Sequence, residues 1–376
     1  MERFYTFVEI IAMKIKEIIS CLEEFAPPVY QESYDNAGLI VGDPGMDVNA
    51  VILCLDSTEE VVEEAVRKGA GLIIAHHPII FSGLKKISHS DYIGRTIIRA
   101  IQNNIAIYAI HTNLDHVKGG VNGKIASLLG LRNLEILSPK KNLLRKLVTY
   151  VPAAEAEKVR QAIFAAGAGQ IGRYDLCSFS MEGTGTFRAG SGASPTVGKE
   201  GEYHKEAESR IEVIYNGMKE KALVQALKKA HPYEEVAYDC FALENEHTGV
   251  GAGMTGELEK EMEEKDFLQL VKKMFSVPCI RHTAFLKRKV KKVAVCGGSG
   301  SFLLKDAIAS GSDVFITSDY KYHQFFDATG KILLADIGHY ESEQFTKDLL
   351  FEVIREKFPT FAVHLSETNT NPVNYL

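Results

Sequence analysis

Short continuous apolar runs alternate in this chain with longer stretches whose apolar positions recur every three or four residues. Ala50–Leu55, Leu72–Ala75 and Ile105–Ile110 are runs of the first kind, which read as strands buried on both faces. Between and after them, Thr58–Lys68, Asp91–Asn103 and Asn122–Leu129 carry helical spacing. The same alternation returns near the carboxyl end. There Val290–Cys296, Val314–Thr317 and Ile332–Asp336 read as strands, and Phe302–Ala309, Tyr322–Ala328 and Tyr340–Phe358 as helices. Strand–helix alternation predicts an α/β fold of parallel-strand-rich sheets covered by helices. In such sheets ligands bind beyond the carboxyl ends of the strands.

After Pro139 the order of elements changes. Lys146–Val151 reads as a strand, Ala153–Ala166 as a helix, Cys177–Phe187 and Glu206–Tyr215 as strands, Met218–Ala230 as a helix and Val236–Leu243 as a strand. Strand-helix-strand-strand-helix-strand is the ferredoxin-like plan. Gly183–Gly201, rich in Gly and Ser, reads as a long exposed loop, and Gly249–Gly253 as a linker returning to the first pattern. The expected organisation is therefore discontinuous. Residues 1–137 and 251–376 form two segments of one domain, with an α+β domain, 138–250, inserted between them.

Size and composition fit this division. At 376 residues the chain is long enough for two domains, and 45% hydrophobic with 24% charged residues is ordinary for a globular protein. A formal net charge of −6 argues against a nucleic-acid binder, although Lys140-Lys141 through Arg145-Lys146 form a local basic patch. Six scattered cysteines without a CxxC pair point to a reducing compartment, with the cytoplasm as the default. Glu9, Lys14, Lys16 and Glu17 interrupt the apolar stretch Phe7–Ile19 at helical spacing. This argues for an amphipathic first helix and against a signal peptide or membrane span, with Met13 an alternative start.

Candidate chemistry gathers just past the strand ends. His76-His77 follows Leu72–Ala75, His111 and Asp115 follow Ile105–Ile110, and His339 and Glu343 follow Ile332–Asp336. Histidine nitrogen and carboxylate oxygen suit zinc, manganese or iron(II). His339 and Glu343 stand four apart, so on a helix they share a face. Adjacent residues at a strand end point different ways, so His76 and His77 both reach metal only with two ions or a sharp bend; we read two ions. A single histidine is more often structural, and Glu343 by itself would read as an exposed helical carboxylate. His323 divides evenly between pocket and surface. Gly297-Gly298-Ser299-Gly300 offers backbone amides for an anion or, equally, a tight turn. Asp35-Asn36-Ala37-Gly38 reads first as a turn, with support of a metal ligand as the sharper alternative.

Together with Asp35–Leu39, Ala75–Pro78, His111–Asp115, Gly297–Gly300 and Asp336–His339 through Glu343, the chain resembles the Nif-three-like family, whose members are known as GTP cyclohydrolase I type 2 homologues. The resemblance covers both outer segments. It implies two divalent ions per chain held by His76, His77, Asp115, His339 and Glu343, with Glu343 bridging. It also implies a toroidal homohexamer with its sites facing an internal cavity. The insert, with His231-Pro232-Tyr233-Glu234-Glu235 and Tyr238-Asp239, resembles the CutA/PII-like domain of the longer family members.

Two functions are expected from this. One is a metal-dependent hydrolase of a nucleotide or related heterocycle, a metal pair supplying hydroxide near neutral pH and holding the developing oxyanion. His111 and His323 are then the candidate proton carriers, and Lys305 and Lys321 the candidate phosphate contacts. The alternative is a non-catalytic metal-binding, metal-delivery or regulatory protein whose PII-like insert senses a ligand. Nothing in the residues identifies guanine, ribose or triphosphate.

Overall fold

The computed structural model describes residues 12–376, so residues 7–11 of the expected Phe7–Ile19 helix lie outside it. The first described helix is Ile15–Phe25, later than expected, because Met13–Lys14 is extended and pairs antiparallel with Asp47–Val48. The chain folds as two compact units, one made of residues up to 139 and from 248 on, the other of Lys140–His247.

The discontinuous unit contains two large sheets. In the first, strands Ala50–Cys54, Leu72–Ala75 and Ala106–Ala109 lie parallel, flanked by Ala362–Leu365 on one side and antiparallel Gly38–Val41 on the other. Every residue of the three central strands is buried, as their unbroken apolar runs require. Ile52, Ile73 and Ile107 pack in one cluster with Val61, Val62 and Ile97 from the two covering helices. Each such side chain contributes about 1.5–3 kcal/mol on burial. Those helices, Glu59–Lys68 and Tyr92–Gln102, begin where local chemistry demands. Thr58 Oγ1 accepts from the Val61 amide and Asp91 Oδ1 from the Gly94 amide, so both residues are N-caps.

In the second sheet Lys289–Ser299, Val314–Ser318 and Leu333–Asp336 are parallel neighbours. The sheet continues through His247–Glu263, antiparallel to Lys289–Ser299, to Arg132–Lys140 at its edge. The expected linker Gly249–Gly253 is part of this 17-residue strand. Its glycines serve close packing: a Cβ on Gly251 would meet the backbone of Ser138 and Pro139, and one on Gly253 would stand 2.8 Å from Leu303 Cδ1. The expected single helix Tyr340–Phe358 is two, His339–Glu343 and Thr346–Lys357. The helix Glu264–Met274 has helical spacing that the sequence reading passed over.

The second unit has one antiparallel four-stranded sheet. Its chain order is Leu144–Pro152, helix Ala156–Ala165, Phe179–Arg188, Tyr203–Asn216, helix Glu220–Ala230 and Tyr238–Ala242. Numbered within the unit, the strands lie in the order 4-1-3-2. Gly183 and Gly185 belong to a strand and not to the expected loop. The position of Gly185 is opposite Glu206 on the next strand, and Glu208 there occupies the space a Cβ would take. Among the described residues no helix is long and apolar enough to cross a membrane.

Candidate metal centre

Asp56, His76, His77, His111, Asp319 and His339 stand just past parallel strands of the two large sheets, and the backbone explains their aim. His76 N donates to Cys54 O and His77 N to Leu55 O, at 3.2 and 2.9 Å, so the ladder continues past Ala75 and holds both histidines. Their rings lie 4.8 Å apart, tilted by 46°. His111 precedes the short helix Thr112–His116, which carries Asp115. Asn122 Nδ2 donates to Asp115 O at 3.0 Å and fixes that turn. Across from them, Gly338 at φ 91° turns the chain into the His339–Glu343 helix; this left-handed backbone and the Glu341 carboxylate against it both suit glycine.

Every histidine here is held by its Nδ1. His76 Nδ1 donates to Ile110 O at 2.9 Å, His77 Nδ1 pairs with Asp56 Oδ1 at 2.8 Å, His111 Nδ1 with Asp35 Oδ1 at 2.8 Å, and His339 Nδ1 with Asp319 Oδ2 at 2.6 Å. A carbonyl only accepts, so neutral His76 carries its proton on Nδ1 and its lone pair on Nε2. An outer carboxylate or carbonyl on one ring nitrogen, with the other free to coordinate, is the usual support of a metal-binding histidine.

The Nε2 atoms converge on Glu343. His77 and His339 stand 3.1 and 3.0 Å from Glu343 Oε2, and 3.3 Å from each other. On the other oxygen, His76 Nε2 is 3.7 Å from Glu343 Oε1 and 3.6 Å from Asp115 Oδ1. The potential ligand atoms form three overlapping groups: His77-His339-Glu343, His76-Asp115-Glu343 and His76-His77-His111, each within 4.8 Å. Ligand atoms at roughly 2.0–2.2 Å from a tetrahedral ion stand about 3.3–3.6 Å apart, which these separations approach. His76 Nε2 and Asp115 Oδ1 are buried and make no hydrogen bond. A polar atom buried without a partner costs about 1–3 kcal/mol, so this pair calls for an ion between its members. The residues present fit a divalent cation.

Charge supports the same conclusion. Glu343 is buried, which acts to raise its pKa, yet His339, His76 and His77 hold it well below the usual carboxylate range. Burial opposes charge on His77, but Asp56 and Glu343 prevail and raise it to about 9. His339, likewise opposed by burial, is raised to about 11 by Glu343 and Asp319. Asp115 is pushed up to about 7 by burial and by the charge of Glu343. Asp35, despite its own burial, is held at about 2 by His111 and Thr112. The buried glutamate thus recruits positive charge, which a proton or a metal ion supplies equally well.

His76, His77, Asp115, His339 and Glu343 are therefore brought together. His111, expected as a proton carrier beside the ligands, falls within a ligand group. His323 does not join them: it is exposed, with its ring against Tyr322 and Phe326, and does not line the cavity beside the site. Lys305 and Lys321 are also absent from that cavity. The glycine run is no anion cradle. Gly297 and Gly298 lie within the Lys289–Ser299 strand, and their amides are taken by Asn122 Oδ1 and Ser342 Oγ at 2.9 and 3.0 Å. A Cβ on Gly297 would come within 3.3 Å of Glu343 Cγ, and one on Gly298 would overlap the Glu343 carboxylate. These glycines make room for the central ligand. Asp56 and Asp319 escaped the sequence reading, though each follows a buried strand as the histidines do.

An α/β unit that gathers histidine and carboxylate side chains at the ends of parallel strands in two sheets defines a candidate metal-centre protein. A family model described as Duf34/NIF3 (NGG1p interacting factor 3) matches residues 13–372, and the chain belongs to that family. It is 40% identical over 367 residues to a Bacillus subtilis (strain 168) protein, the match covering 96% of this chain and 98% of that one. It is 39% identical over 364 residues to a Halalkalibacterium halodurans protein, with the same two coverages. Both relatives are named GTP cyclohydrolase 1 type 2 homolog. A Bacillus cereus protein related to NIF3 has a crystal structure that matches with a TM-score of 0.83 at 39% identity, covering 98% of this chain and all of that one. A Staphylococcus aureus protein of known structure matches at 0.78 and 30% identity, covering 97% and 99%.

Proposed function

We propose that this chain binds two divalent ions, zinc, manganese or iron(II), and is a metal-dependent hydrolase of a nucleotide or related heterocycle. The observation that carries the reading is the division of ligands about Glu343: one carboxylate oxygen faces His77 and His339, the other faces His76, which with Asp115 and Glu343 forms a second ligand group. A carboxylate so placed would help to hold both ions. When bound, a divalent pair supplies Lewis acidity and activates water for hydrolysis near neutral pH. Asp56, Asp319, Asp35 and Ile110 O orient the four imidazoles and fix which nitrogen faces inward. His111, anchored by Asp35 at the edge of the ligand group, either completes a coordination shell or moves a proton. A cavity of about 1370 Å³ opens against His77, His111, Asp115, His339 and Glu343 and gives a small molecule access to them.

The name of the two Bacillus-type relatives suggests GTP as a first substrate to try. The 4-1-3-2 order of the inserted unit supports a ferredoxin-like domain of the CutA/PII-like kind, and family resemblance supports a homohexamer in the cytoplasm. Metal analysis and turnover together test the proposal. Reconstituted protein is expected to hold two ions per chain and to hydrolyse at least one member of a panel of nucleotides, nucleosides and phosphoesters, with chelation abolishing the activity. Two ions without any turnover would favour the metal-delivery or regulatory reading; no bound metal would defeat both.

A further inference from the structure

The walls of the cavity beside the ligands are acidic and aromatic. Its acids include Glu32, Asp56, Asp319, Asp336 and Glu341, besides the ligands Asp115 and Glu343. Arg281 is the one Lys or Arg in the wall among the described residues, and it is engaged by Asp336 and by Tyr320 O. Asp336 also accepts from the Tyr320 amide at 3.0 Å, and Glu341 from Asn371 Nδ2 at 3.0 Å. Four aromatic side chains in the same wall leave much of their surface open: Tyr34 is 72% exposed, Phe302 65%, Phe81 55% and Tyr375 45%. Phe81 is set edge-on to His111, with ring centres 5.8 Å apart, so an aromatic face begins directly beside a ligand group.

These features select among substrates. Divalent ions at the ligands could hold one phosphate, but the rest of a triphosphate chain needs Lys, Arg or a run of free backbone amides, and the amides of Gly297 and Gly298 are already bonded. Beyond the reach of the ions a polyanion lying along this wall would face carboxylates such as Glu32, Asp336 and Glu341, and like charges brought together disfavour binding. Exposed aromatic faces instead stack on planar rings, and carboxylates accept hydrogen bonds from ring N–H and amino groups. Resting on the metal-hydrolase reading above, we infer that the substrate is an uncharged planar heterocycle bearing N–H groups, of nucleobase or nucleoside size, and not a nucleoside triphosphate.

The test uses full-length, zinc-reconstituted protein of measured zinc content. Binding of guanosine and adenosine is compared with that of GTP, ATP and inorganic triphosphate by calorimetry. At least one nucleoside is expected to bind about tenfold or more tightly than its triphosphate, with inorganic triphosphate failing to displace it. Phe302→Ala and Tyr34→Ala are each expected to weaken nucleoside binding by about fivefold to a hundredfold, with zinc content unchanged. Triphosphates binding more tightly than nucleosides, displacement by inorganic triphosphate, binding of neither nucleoside, or nucleoside affinity unaffected in both variants would overturn the inference. Zinc content near zero would instead defeat the metal reading; the same nucleoside comparison on that protein still decides the inference, because the aromatic wall does not depend on the ions.

Discussion

The two ligand groups that share Glu343 are built differently. The deeper group is built on His76, which is wholly buried and whose outer support is a neutral carbonyl; its partner Asp115 is partly buried and reaches the cavity wall. His77 and His339 are nearer the cavity, and each leans on a carboxylate, Asp56 or Asp319. In the deep group two buried ligand atoms have no partner; in the outer group the corresponding atoms pair with Glu343 Oε2 within 3.1 Å. A carbonyl holds a ring in place without adding charge, whereas a carboxylate also raises its basicity. The histidines of the outer group therefore hold protons strongly, and both groups draw on one glutamate.

The most damaging change to this arrangement is at the shared residue. Glu343→Ala is expected to reduce metal content from about two ions per chain to near zero, measured by mass spectrometry of reconstituted protein; retention of one ion would show that the groups do not depend on a common bridge. Separate single changes should then split the groups. Asp115→Asn should empty the deep position and His339→Ala the outer one, each leaving about one ion. If either variant lost both, the comparison would collapse into one cooperative site. A smaller effect is expected behind the ligands. Asp319→Asn keeps the shape and removes the charge behind His339, and loss of such support typically weakens metal binding by about 10–100-fold. Competition with a chromophoric chelator should show that loss in the outer position while the deep one is unaffected.

The two positions are also expected to differ in pH dependence. His77 and His339, raised to about 9 and 11, are protonated at pH 7 in the ion-free protein, and a ligating histidine must give up its proton. Asp115, raised to about 7, is mostly ionised above that pH. Between about pH 7.5 and 9 the affinity of the outer position should therefore keep rising, by up to about tenfold per pH unit for each proton released. The affinity of the deep position should level off. Calorimetry of Asp115→Asn and His339→Ala in buffers of different ionisation enthalpy counts the protons released; equal counts for the two positions would remove the distinction.

Much of this was legible in local pattern. A continuous apolar run marks a strand buried on both faces, and a polar residue just beyond it stands at the strand end, so the placement of His76, His77, His111 and His339 followed from the chain alone. The caps at Thr58 and Asp91 were likewise local. The glycine runs misled because the same composition serves loops and close packing. Gly249–Gly253 and Gly297–Gly298 lie within strands, and what they accommodate, such as Ser138, Leu303 or the Glu343 side chain, lies more than forty residues away.

The sequence by itself determined the alternation of elements, the strand ends at which ligands stand, and the donor types available to a metal, because each depends on side-chain periodicity within a few residues. The tertiary structure decided which segments meet. It joined His77 to Glu343 across 266 positions, set Asp56 and Asp319 behind their histidines, drew His111 into a ligand group and left His323 outside. Hydrogen bonds and metal ligation act over about 2–3 Å, so their partners are selected by how two sheets pack and by the register of their strands, which no local stretch of sequence encodes.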